Sequence, residues 1–405
     1  MGALSHLRVL DLGRVLAAPW ATQILGDLGA EVIKIEKPGV GDETRHFGPP
    51  FLSDVDGKKG DATYFLAANR NKKSVTIDFS KPEGAALVKR LARRAHIVVE
   101  NFKTGALAKY GLDYDSLAAE NPALIYCSLT GFGHDGPYKD KAGYDYVIQG
   151  MGGLMSVTGQ KDGEPGAEPM KVGVAVSDLV TGLYTTVAIL AAVIHQARTG
   201  EGQAIDMALF DCQAAALANQ ATNYLAGGIV PGRLGNAHPN IVPYQVFPTR
   251  DGHLILAVSN DAQFRRFTKV AGLETMANDP RFSTNAERVA HRQVVIDALR
   301  PVFAGRTSAQ WITDLESVNV PCGPINRIDQ VFSDPQAIAR GLTIAMRHAT
   351  AGELHLPASP LRLRRTPPEY GSAPPLLGEH NEEVLSGLLG IDSAEQKKLR
   401  EAGVV

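Results

Sequence analysis

Cysteine is scarce in this chain. Its 405 residues include three cysteines, Cys127, Cys212 and Cys322, which lie far apart and form no CxxC pair. Isolated cysteines in odd number give neither a disulfide framework nor the ligand spacing of a zinc site. We therefore expect a reducing compartment, the cytoplasm, and no metal.

A strong charge bias and a long apolar run are also missing. With 41 basic and 43 acidic residues, the formal net charge is −2, which is too balanced for a nucleic-acid or membrane-surface protein. The longest apolar stretch, residues 179–194, is shorter than the ~20 residues that span a bilayer, and it contains Gly182 and several threonines. The N-terminus has no secretory pattern. We expect a soluble protein without nucleic-acid or membrane partners, in which residues 179–194 form a buried core helix.

Several motifs of common enzyme classes are absent from the sequence. It has no GxxxxGK[ST] loop for nucleoside triphosphates and no GxGxxG fingerprint for dinucleotides. It has no HExxH pair for zinc and no GxSxG elbow for a serine nucleophile. Motifs of these classes therefore assign no chemistry to the chain.

Strand-like and helix-like segments alternate in the first two hundred residues. Helices are predicted at 20–28 and 82–95, and strands at 8–13, 31–35, 74–78, 96–100 and 124–129. This alternation indicates βαβ units and a mainly parallel sheet, hence an α/β fold. Ligands of such sheets bind beyond the carboxyl ends of the strands. A site is therefore expected around the segments that follow those ends: 13–17, 36–39, 101–103 and 130–133.

The pattern changes after about residue 202, and the length suggests two or three domains. Helix-like sequence at 206–224 leads into a stretch rich in glycine and proline. A hairpin is predicted at 244–258, where Arg250-Asp251-Gly252 is a turn signal. Helical patterns fill about 260–317, and the proline-rich region 331–375 is predicted to be a connector.

Seven blocks, in order along the chain, resemble the family III CoA-transferases of the CaiB/BaiF type. This family includes formyl-CoA transferase, carnitine CoA-transferase and, as a relative, α-methylacyl-CoA racemase. No single block would be specific, but seven in the same order are. The blocks are VLDLGRVLAAPWATQILGDLGAEVIKIEKPGVGD (9–42), NRNKKSVTIDF (69–79), VVENFKTGALAKYGLDY (98–114), AGYDYVIQGMGGLMSVTG (142–159), GVAVSDLVTGLYTTVAILAAVIHQARTGEGQAIDMALFD (173–211), VPCGPIN (320–326) and PPLLGEHNEEVL (374–385).

The resemblance implies a domain arrangement that composition and periodicity do not reveal. It implies a Rossmann-like large domain that binds CoA, a smaller α+β domain, and long linkers. The corresponding boundaries are 1–205 for the large domain, 206–226 for a linker helix, 227–330 for the small domain, 331–375 for a return linker and 376–405 for a segment that returns to the large domain. Two chains of this family interlock, so an obligate homodimer is expected.

Asp178 matches the catalytic aspartate of the family in the block GVAVSDLVTG. From the residues alone, Asp178 precedes a long helix and would only cap it. The resemblance instead implies a nucleophile, ionised at neutral pH because the reference pKa of Asp is about 3.9. Its attack on an acyl-CoA gives a mixed anhydride and then an aspartyl-CoA thioester. Backbone N–H groups near the helix start would hold the oxyanion.

The resemblance also implies which residues contact CoA, which is a substrate here and not a permanently bound cofactor. Each lysine taken singly would be interpreted as a solvated surface charge, but several follow strand ends, where CoA phosphates would need them. The implied contacts are Val15, Leu16, Ala17, Lys37, Ile77, Asn101, Phe102, Lys103, Lys109, Lys141, Tyr144 and Asp145. Gly235 and His238, in the match to a glycine-rich loop over the aspartyl site, are candidates for contact with the acyl group.

Two departures from the formyl-CoA branch bear on the substrate. The chain lacks that branch's run of glycines near residue 235, and Leu16 stands where that branch has Gln. The form GNAHPNIVPYQVF resembles the branch that uses succinyl-CoA and larger dicarboxylates of the glutarate type. A racemase is the alternative, but its catalytic His is replaced by Tyr144, whose reference pKa near 10 suits proton transfer poorly. A non-catalytic CoA-binding module is a third possibility, against which the intact Asp178 argues.

Overall fold

The computed structural model describes residues 2–405 as thirteen strands and eighteen α-helices. In chain order the strands are β1 (Arg8–Asp11), β2 (Glu31–Glu36), β3 (Phe51–Ser53), β4 (Lys59–Ala62), β5 (Lys72–Thr76), β6 (Ile97–Glu100), β7 (Ile125–Thr130), β8 (Gln203–Ala208), β9 (Tyr244–Pro248), β10 (His253–Ala257), β11 (Cys322–Gly323), β12 (Thr343–His348) and β13 (Gly352–Pro357).

The helices occupy most of the remaining chain. They are α1 (Ala17–Asp27), α2 (Thr63–Leu66), α3 (Pro82–Ala92), α4 (Tyr114–Ala118), α5 (Asp145–Met151), α6 (Leu154–Val157), α7 (Val176–Thr199), α8 (Leu209–Ala216), α9 (Ala218–Leu225), α10 (Asp261–Val270), α11 (Glu274–Ala277), α12 (Asn285–Ala290), α13 (Arg292–Ala304), α14 (Ser308–Ser317), α15 (Ile328–Ser333), α16 (Pro335–Ala339), α17 (Asn381–Leu389) and α18 (Ser393–Glu401). Short 3₁₀ turns lie at Glu43–His46, Ala108–Tyr110 and Pro280–Phe282.

Six strands form one parallel sheet in the order β5-β2-β1-β6-β7-β8. The chain moves outward from β1 to β2 and β5, then returns to β6 on the other side of β1. The direction of winding therefore reverses between β1 and β6, and ligands of open α/β sheets bind outside the carboxyl ends at such a point. The predicted α/β fold with a parallel sheet is confirmed.

Helices cover both faces of this sheet, which explains the apolar residues on both faces of β1, β6 and β7. On one face Leu10 and Ile33 pack with α3, α17 and α18. On the other face Val9 and Val32 pack with α1 and α7. Adjacent residues of one strand thus serve opposite layers, as the two-residue period of a strand requires.

The chain forms two compact units. The first contains residues up to Leu154, Val172–Ile229 and Gln336–Val405, including the parallel sheet. The second contains Met155–Lys171 and Val230–Pro335. It holds the antiparallel sheet β11-β10-β9 and helices α10 to α14 around an apolar core. The predicted 244–258 hairpin is confirmed as β9 and β10. The predicted domain boundaries remain a prediction, although residues 155–171, which were assigned to the large domain, belong to the second unit.

Two predictions of local structure are wrong. The segment 206–224 was predicted to be helical throughout, but it begins inside β8, the edge strand of the parallel sheet. Pairing with β7 overrides the weak strand propensity of its Gln, Ala, Asp and Met residues. The connector 331–375 contains a β12–β13 hairpin that the sequence did not indicate.

Helix α7 is buried on one face only, which corrects the predicted core helix. By length and composition it could also cross a membrane. Its inner face packs on α1, and Thr181, Gly182 and Ile189 are buried there. Its outer face exposes Leu183, Tyr184, Val187 and Ile194 to solvent in the single chain.

Candidate active site

Asp178 is the third residue of α7, inside its first turn. The helix is capped by Ala175, whose side chain accepts no hydrogen bond, so the interpretation of Asp178 as the N-cap is wrong. Asp145 supplies the cap instead. Its Oδ1 accepts hydrogen bonds from the backbone N–H groups of Ser177 (2.8 Å) and Asp178 (3.3 Å), and its Oδ2 accepts one from Gln149 (2.7 Å).

The first amides of α7 are therefore already occupied. The N–H of Val176 donates to the carbonyl of Val174 at 2.8 Å, and the next two N–H groups donate to Asp145. The expectation that these amides hold an oxyanion does not fit this arrangement. A carboxylate bound to N–H groups at a helix start is also stabilised by the helix dipole.

The surroundings of Asp178 disfavour its ionised form. Burial, and then the nearby charge of Asp145, raise the pKa of Asp178 to about 7. The reference value of about 3.9 used for the sequence therefore underestimates this pKa. A carboxyl group with a raised pKa in a cleft is a candidate for catalysis.

Tyr64 is a residue that the sequence analysis missed. Burial, and then the charges of Asp178 and Asp145, raise the pKa of its hydroxyl, so it lies within electrostatic range of both carboxylates. Its ring meets Phe47 edge to face at 5.7 Å. Tyr64 falls between two of the resembling blocks and belongs to no motif, so the sequence contained no signal for it.

A cleft of about 350 Å³, called the Asp178 cleft below, lies beyond the carboxyl ends of β1, β6 and β7. Phe47 and Lys139 line it, although neither was predicted. The predicted residues that line it are Val15, Leu16, Ala17, Asn101, Phe102, Lys103, Lys141, Tyr144 and Asp178. Asp145 was predicted too but does not line the cleft, and its side chain accepts hydrogen bonds from the first turn of α7. The predicted residues Val15 and Asp178, which are far apart in sequence, thus meet at one edge of the sheet, as the strand-end argument predicted.

The turn between β1 and α1 has a strained backbone. Val15 has φ +65°, a left-handed conformation that is costly for a β-branched residue. The neighbouring residue Arg14 is fixed by Asn101, whose side chain accepts from the Arg14 N–H (2.8 Å) and donates to the Arg14 carbonyl (2.7 Å). The N–H of Val15 donates to Asp42 at 3.3 Å.

Buried charges support this turn from below. The ammonium of Lys34 donates to Asp42 (2.8 Å) and to the carbonyl of Gly13 (2.7 Å), and both charged side chains are almost fully buried. Burial alone would raise the pKa of Asp42, but Lys34 and hydrogen bonds from Thr44 lower it to about 2. Asp42 is therefore ionised across the neutral range.

Helix α1 begins on the cleft without a side-chain cap. Leu16 and Ala17 line the cleft, and within residues 2–405 their backbone N–H groups have no acceptor. Helix α7 approaches this start at Gly182, where a Cβ would lie 2.8 Å from the carbonyl oxygen of Ala17. A glycine in mid-helix is unfavourable, and this close approach explains it.

A second cleft of about 240 Å³, called the Lys37 cleft, adjoins the first. It is lined by two other predicted residues, Lys37 and Ile77. Arg14 and Phe102 line both clefts, with the guanidinium carbon of Arg14 4.5 Å from the ring centroid of Phe102. Together the two clefts give an extended groove in which basic side chains, Lys37, Lys103, Lys139 and Lys141 among them, could contact an anionic ligand, although Glu43 and Asp78 also line it.

Besides Asp145, three predicted residues lie outside both clefts. The ammonium of Lys109 rests over the ring of Tyr110 at 4.8 Å. Gly235 and His238 belong to the second unit. Gly235 has φ +60°, and its N–H donates to the carbonyl of Gly159 at 3.1 Å. The ring of His238 lies 5.1 Å from that of Tyr244. The roles of these three residues stay predictions. Across the described chain, no three His, Cys, Asp or Glu side chains are grouped as a metal site requires.

Known proteins resemble this chain along almost its whole length. The family model for CoA-transferase family III matches residues 4–381. The chain is 52% identical over 389 residues to succinate–glutarate CoA-transferase from Agrobacterium fabrum, covering 96% of each. It is 42% identical over 405 residues to succinyl-CoA:glutarate CoA-transferase from Mus musculus, covering 100% of this chain and 91% of that relative. The crystal structure of a CaiB/BaiF family protein from Brucella suis, 49% identical, has a TM-score of 0.83 and covers 96% of this chain and 99% of that chain.

Proposed function

The chain belongs to CoA-transferase family III, and from this premise we propose that it transfers CoA from succinyl-CoA to a dicarboxylic acid of the glutarate type through Asp178. The names of two relatives, at 52% and 42% identity, support this substrate pair. Leu16 and the missing glycine run support it independently, because they separate the chain from the branch that uses formyl-CoA.

The observation that carries the proposal is the position of Asp178. Its carboxylate lies in a cleft with residues from the segments that follow β1, β6 and β7, which were matched to CoA-binding segments. The adjoining Lys37 cleft extends the groove. Such a groove can take the pantetheine and nucleotide of CoA while the thioester meets the carboxylate.

The proposed reaction conserves the thioester bond. A carboxylate oxygen of Asp178 attacks the carbonyl carbon of succinyl-CoA, the C–S bond breaks, and CoA leaves as a thiolate. The thiolate attacks the aspartyl carbonyl of the mixed anhydride, which releases succinate and leaves an aspartyl-CoA thioester. The acceptor carboxylate then attacks that thioester, and the expelled thiolate attacks the acceptor carbonyl. Asp178 is regenerated, and no ATP is needed.

The start of α1 is our candidate for stabilising the oxyanion. Leu16 and Ala17 line the Asp178 cleft and their amides have no acceptor within residues 2–405, whereas those of α7 are occupied by Asp145 and Val174. Helix N-terminal N–H groups are preorganised donors for negative charge. Tyr64 is a further donor within electrostatic range of Asp178.

The racemase alternative has less support. Tyr144 occupies the position of the catalytic His, and it is largely exposed at the start of α5. Asp145 is engaged by α7 amides and by Gln149, so it already has a structural role. Proton transfer at the α-carbon is therefore the alternative reaction that the substrate panel should exclude.

We also propose that two copies of the chain form the working enzyme, in the cytoplasm. The exposed apolar stripe of Leu183, Val187 and Ile194 on α7 supports this, because such a stripe is normally covered by a partner. Light scattering should give twice the chain mass of 43.2 kDa. A stable, active monomer would contradict the proposal.

A substrate panel tests the proposed reaction. Acyl-CoA donors are combined with free acids, and the CoA products are identified by mass spectrometry and compared by kcat/KM. Succinyl-CoA with glutarate should exceed formyl-CoA with oxalate by at least an order of magnitude. A preference for oxalate would contradict the substrate class. Loss of stereochemistry at an α-methylacyl-CoA without transfer would favour the racemase.

A further inference from the structure

Three polar residues form a row across the carboxyl ends of neighbouring strands. Glu100 in β6 pairs in register with Ser128 in β7, which pairs with Asp206 in β8. His134 joins the row. Its ring Nε2 lies 2.8 Å from the hydroxyl of Ser128, and its backbone N–H donates to the Asp206 carboxylate at 2.9 Å. None of these four residues was singled out by the sequence.

The row is connected to the Asp178 cleft through one hydrogen bond. Glu100 is only 5% exposed, and its Oε2 accepts a hydrogen bond from the backbone N–H of Phe102 at 2.7 Å. Phe102 lines both clefts, and Asn101 beside it fixes the backbone of Arg14. A change at Glu100 is therefore transmitted to the turn at 101–103 and to the strained turn after β1.

We propose that Glu100 is a positioning residue of this enzyme: its carboxylate, hydrogen-bonded to Ser128 and through it to His134, holds the 101–103 turn in the shape that receives CoA. The inference rests on the proposed function, because it concerns the same CoA groove. Glu100 lines neither cleft, so it acts through the turn and not by touching CoA.

Glu100 can change its charge near neutral pH. Burial raises its pKa to about 7, although the Ser128 hydroxyl, the Phe102 N–H and the charge of Arg14 each lower it. On β7, Tyr126 and Cys127 have pKa values raised by burial and then by Glu100. A cavity of about 420 Å³ lies beside Glu100, and the other charged or titratable groups that line it are Lys103, Asp113, Tyr114, Asp115, Tyr126, His134 and Asp206.

The two charge states should hold the turn differently. A hydrogen bond to a carboxylate is about twice as strong as one to a neutral carboxyl group. Ionised Glu100 should therefore favour CoA binding by roughly five-fold over protonated Glu100. The phosphates of CoA would oppose this if they lay beside Glu100, but the 101–103 turn separates that carboxylate from both clefts.

Binding of CoA, measured by calorimetry from about pH 6 to about pH 8, tests the inference without requiring turnover. Dephospho-CoA, which lacks the 3′-phosphate, is measured in parallel to remove the titration of that phosphate. Wild-type affinity should rise roughly five-fold with pH. Glu100→Gln keeps the size and an acceptor for Phe102 but cannot ionise, so this rise should disappear, and only the pH dependence contributed by Asp178, whose pKa is also raised to about 7, should remain. Glu83→Gln, on the exposed face of α3, is the matched control and should behave as wild type.

A second variant distinguishes positioning from simple stability. Ser128→Ala removes a hydrogen bond that lowers the pKa of Glu100, so the midpoint of the pH dependence should move to higher pH. If Glu100→Gln fails to fold, the midpoint measured for Ser128→Ala still tests whether Glu100 controls the pH dependence of CoA binding. An unchanged midpoint in Ser128→Ala, or a wild-type pH dependence that Glu100→Gln retains, would overturn the inference.

Failure of the proposed function has a different outcome. A wild-type protein that binds CoA with the expected pH dependence but transfers no acyl group would refute the transferase proposal and leave Glu100 as a positioning residue for CoA. A wild-type protein that transfers CoA but binds it equally at all these pH values would refute only the role of Glu100. A protein that binds no CoA would refute both.

Discussion

The starts of α1 and α7 lie on the same cleft but are built in opposite ways. The first amides of α7 all have acceptors, supplied by Asp145 and Val174, and the helix presents a carboxylate, Asp178. The first amides of α1 are open, and a strained residue precedes them. A complete helix start can hold a nucleophile rigidly, whereas an open one can donate to a substrate. Under the proposed function, α7 would therefore supply the nucleophile and α1 the donors to the oxyanion.

Removing the carboxylate from α7 should have the largest effect. Asp178→Asn keeps the size of the side chain but cannot form the covalent intermediate, so turnover should fall by several orders of magnitude. Stability should not fall. The raised pKa means that the folded protein disfavours ionised Asp178. The stability that the protonated group contributes is fully present below about pH 3.9 and is lost as pH rises through about 7. At about pH 8 the melting temperature of the variant should equal or exceed that of wild type.

The covalent route can be tested on the unaltered protein. Hydroxylamine should inactivate it in the presence of succinyl-CoA, because an acyl anhydride or thioester on the aspartate is converted to a hydroxamate. Peptide mapping should locate that modification at Asp178. Near-normal turnover of Asp178→Asn, or a hydroxamate on another residue, would refute the assigned nucleophile.

The support beneath α1 should be the next most sensitive. Lys34→Met leaves Asp42 as a buried, unpaired charge and should lower the free energy of unfolding by about 3–5 kcal/mol. The matched control is Lys73→Met on the neighbouring strand, whose ion pairs with Glu31 and Glu383 are partly exposed to solvent and should each contribute at most about 1 kcal/mol. Urea unfolding measures both. Equal losses would show that the buried pair has no special role in the turn.

The approach of the two helix starts can be loosened at Gly182. An Ala Cβ would lie 2.8 Å from the carbonyl oxygen of Ala17, so Gly182→Ala should cost about 1–3 kcal/mol and lower kcat by displacing Asp178 from α1. Gly387→Ala on α17 has open space and should instead gain up to about 1 kcal/mol. Thermal unfolding and kcat are measured for both variants, and only Gly182→Ala should lose stability and activity. A stabilised, fully active Gly182→Ala would show that the contact is unimportant.

The cap of α7 should give the smallest effect on stability and a clear effect on pH dependence. Asn caps about as well as Asp, so Asp145→Asn should unfold near wild type, whereas Asp145→Ala should lose about 1 kcal/mol. Because the charge of Asp145 raises the pKa of Asp178, its removal should move the acid limb of kcat/KM to lower pH. The pH profiles of wild type and Asp145→Asn measure this shift. An unmoved limb would mean that another group controls it.

Much of the site could be predicted because strand ends and short motifs are local features. The turns after β1, β2 and β6 were identified from apolar runs that end in polar residues, and these turns meet at the two clefts. Lys109 was assigned from the resemblance to the family, and it rests over the ring of Tyr110 outside both clefts, so its role stays a prediction. A motif gives the position of a residue in the chain but not the direction of its side chain.

The sequence by itself determined the parallel α/β fold, because periodicity is written into neighbouring residues, and its ordered blocks predicted Asp178 as the nucleophile, a role that stays a prediction. Only the tertiary structure decided that Asp145 caps α7, that Tyr64 lies near both carboxylates, that β8 completes the sheet, and that Glu100 accepts a hydrogen bond from the N–H of Phe102. These features depend on contacts between residues far apart in the chain. They also depend on burial, which shifts a carboxyl pKa by excluding water and has no local signature in the sequence.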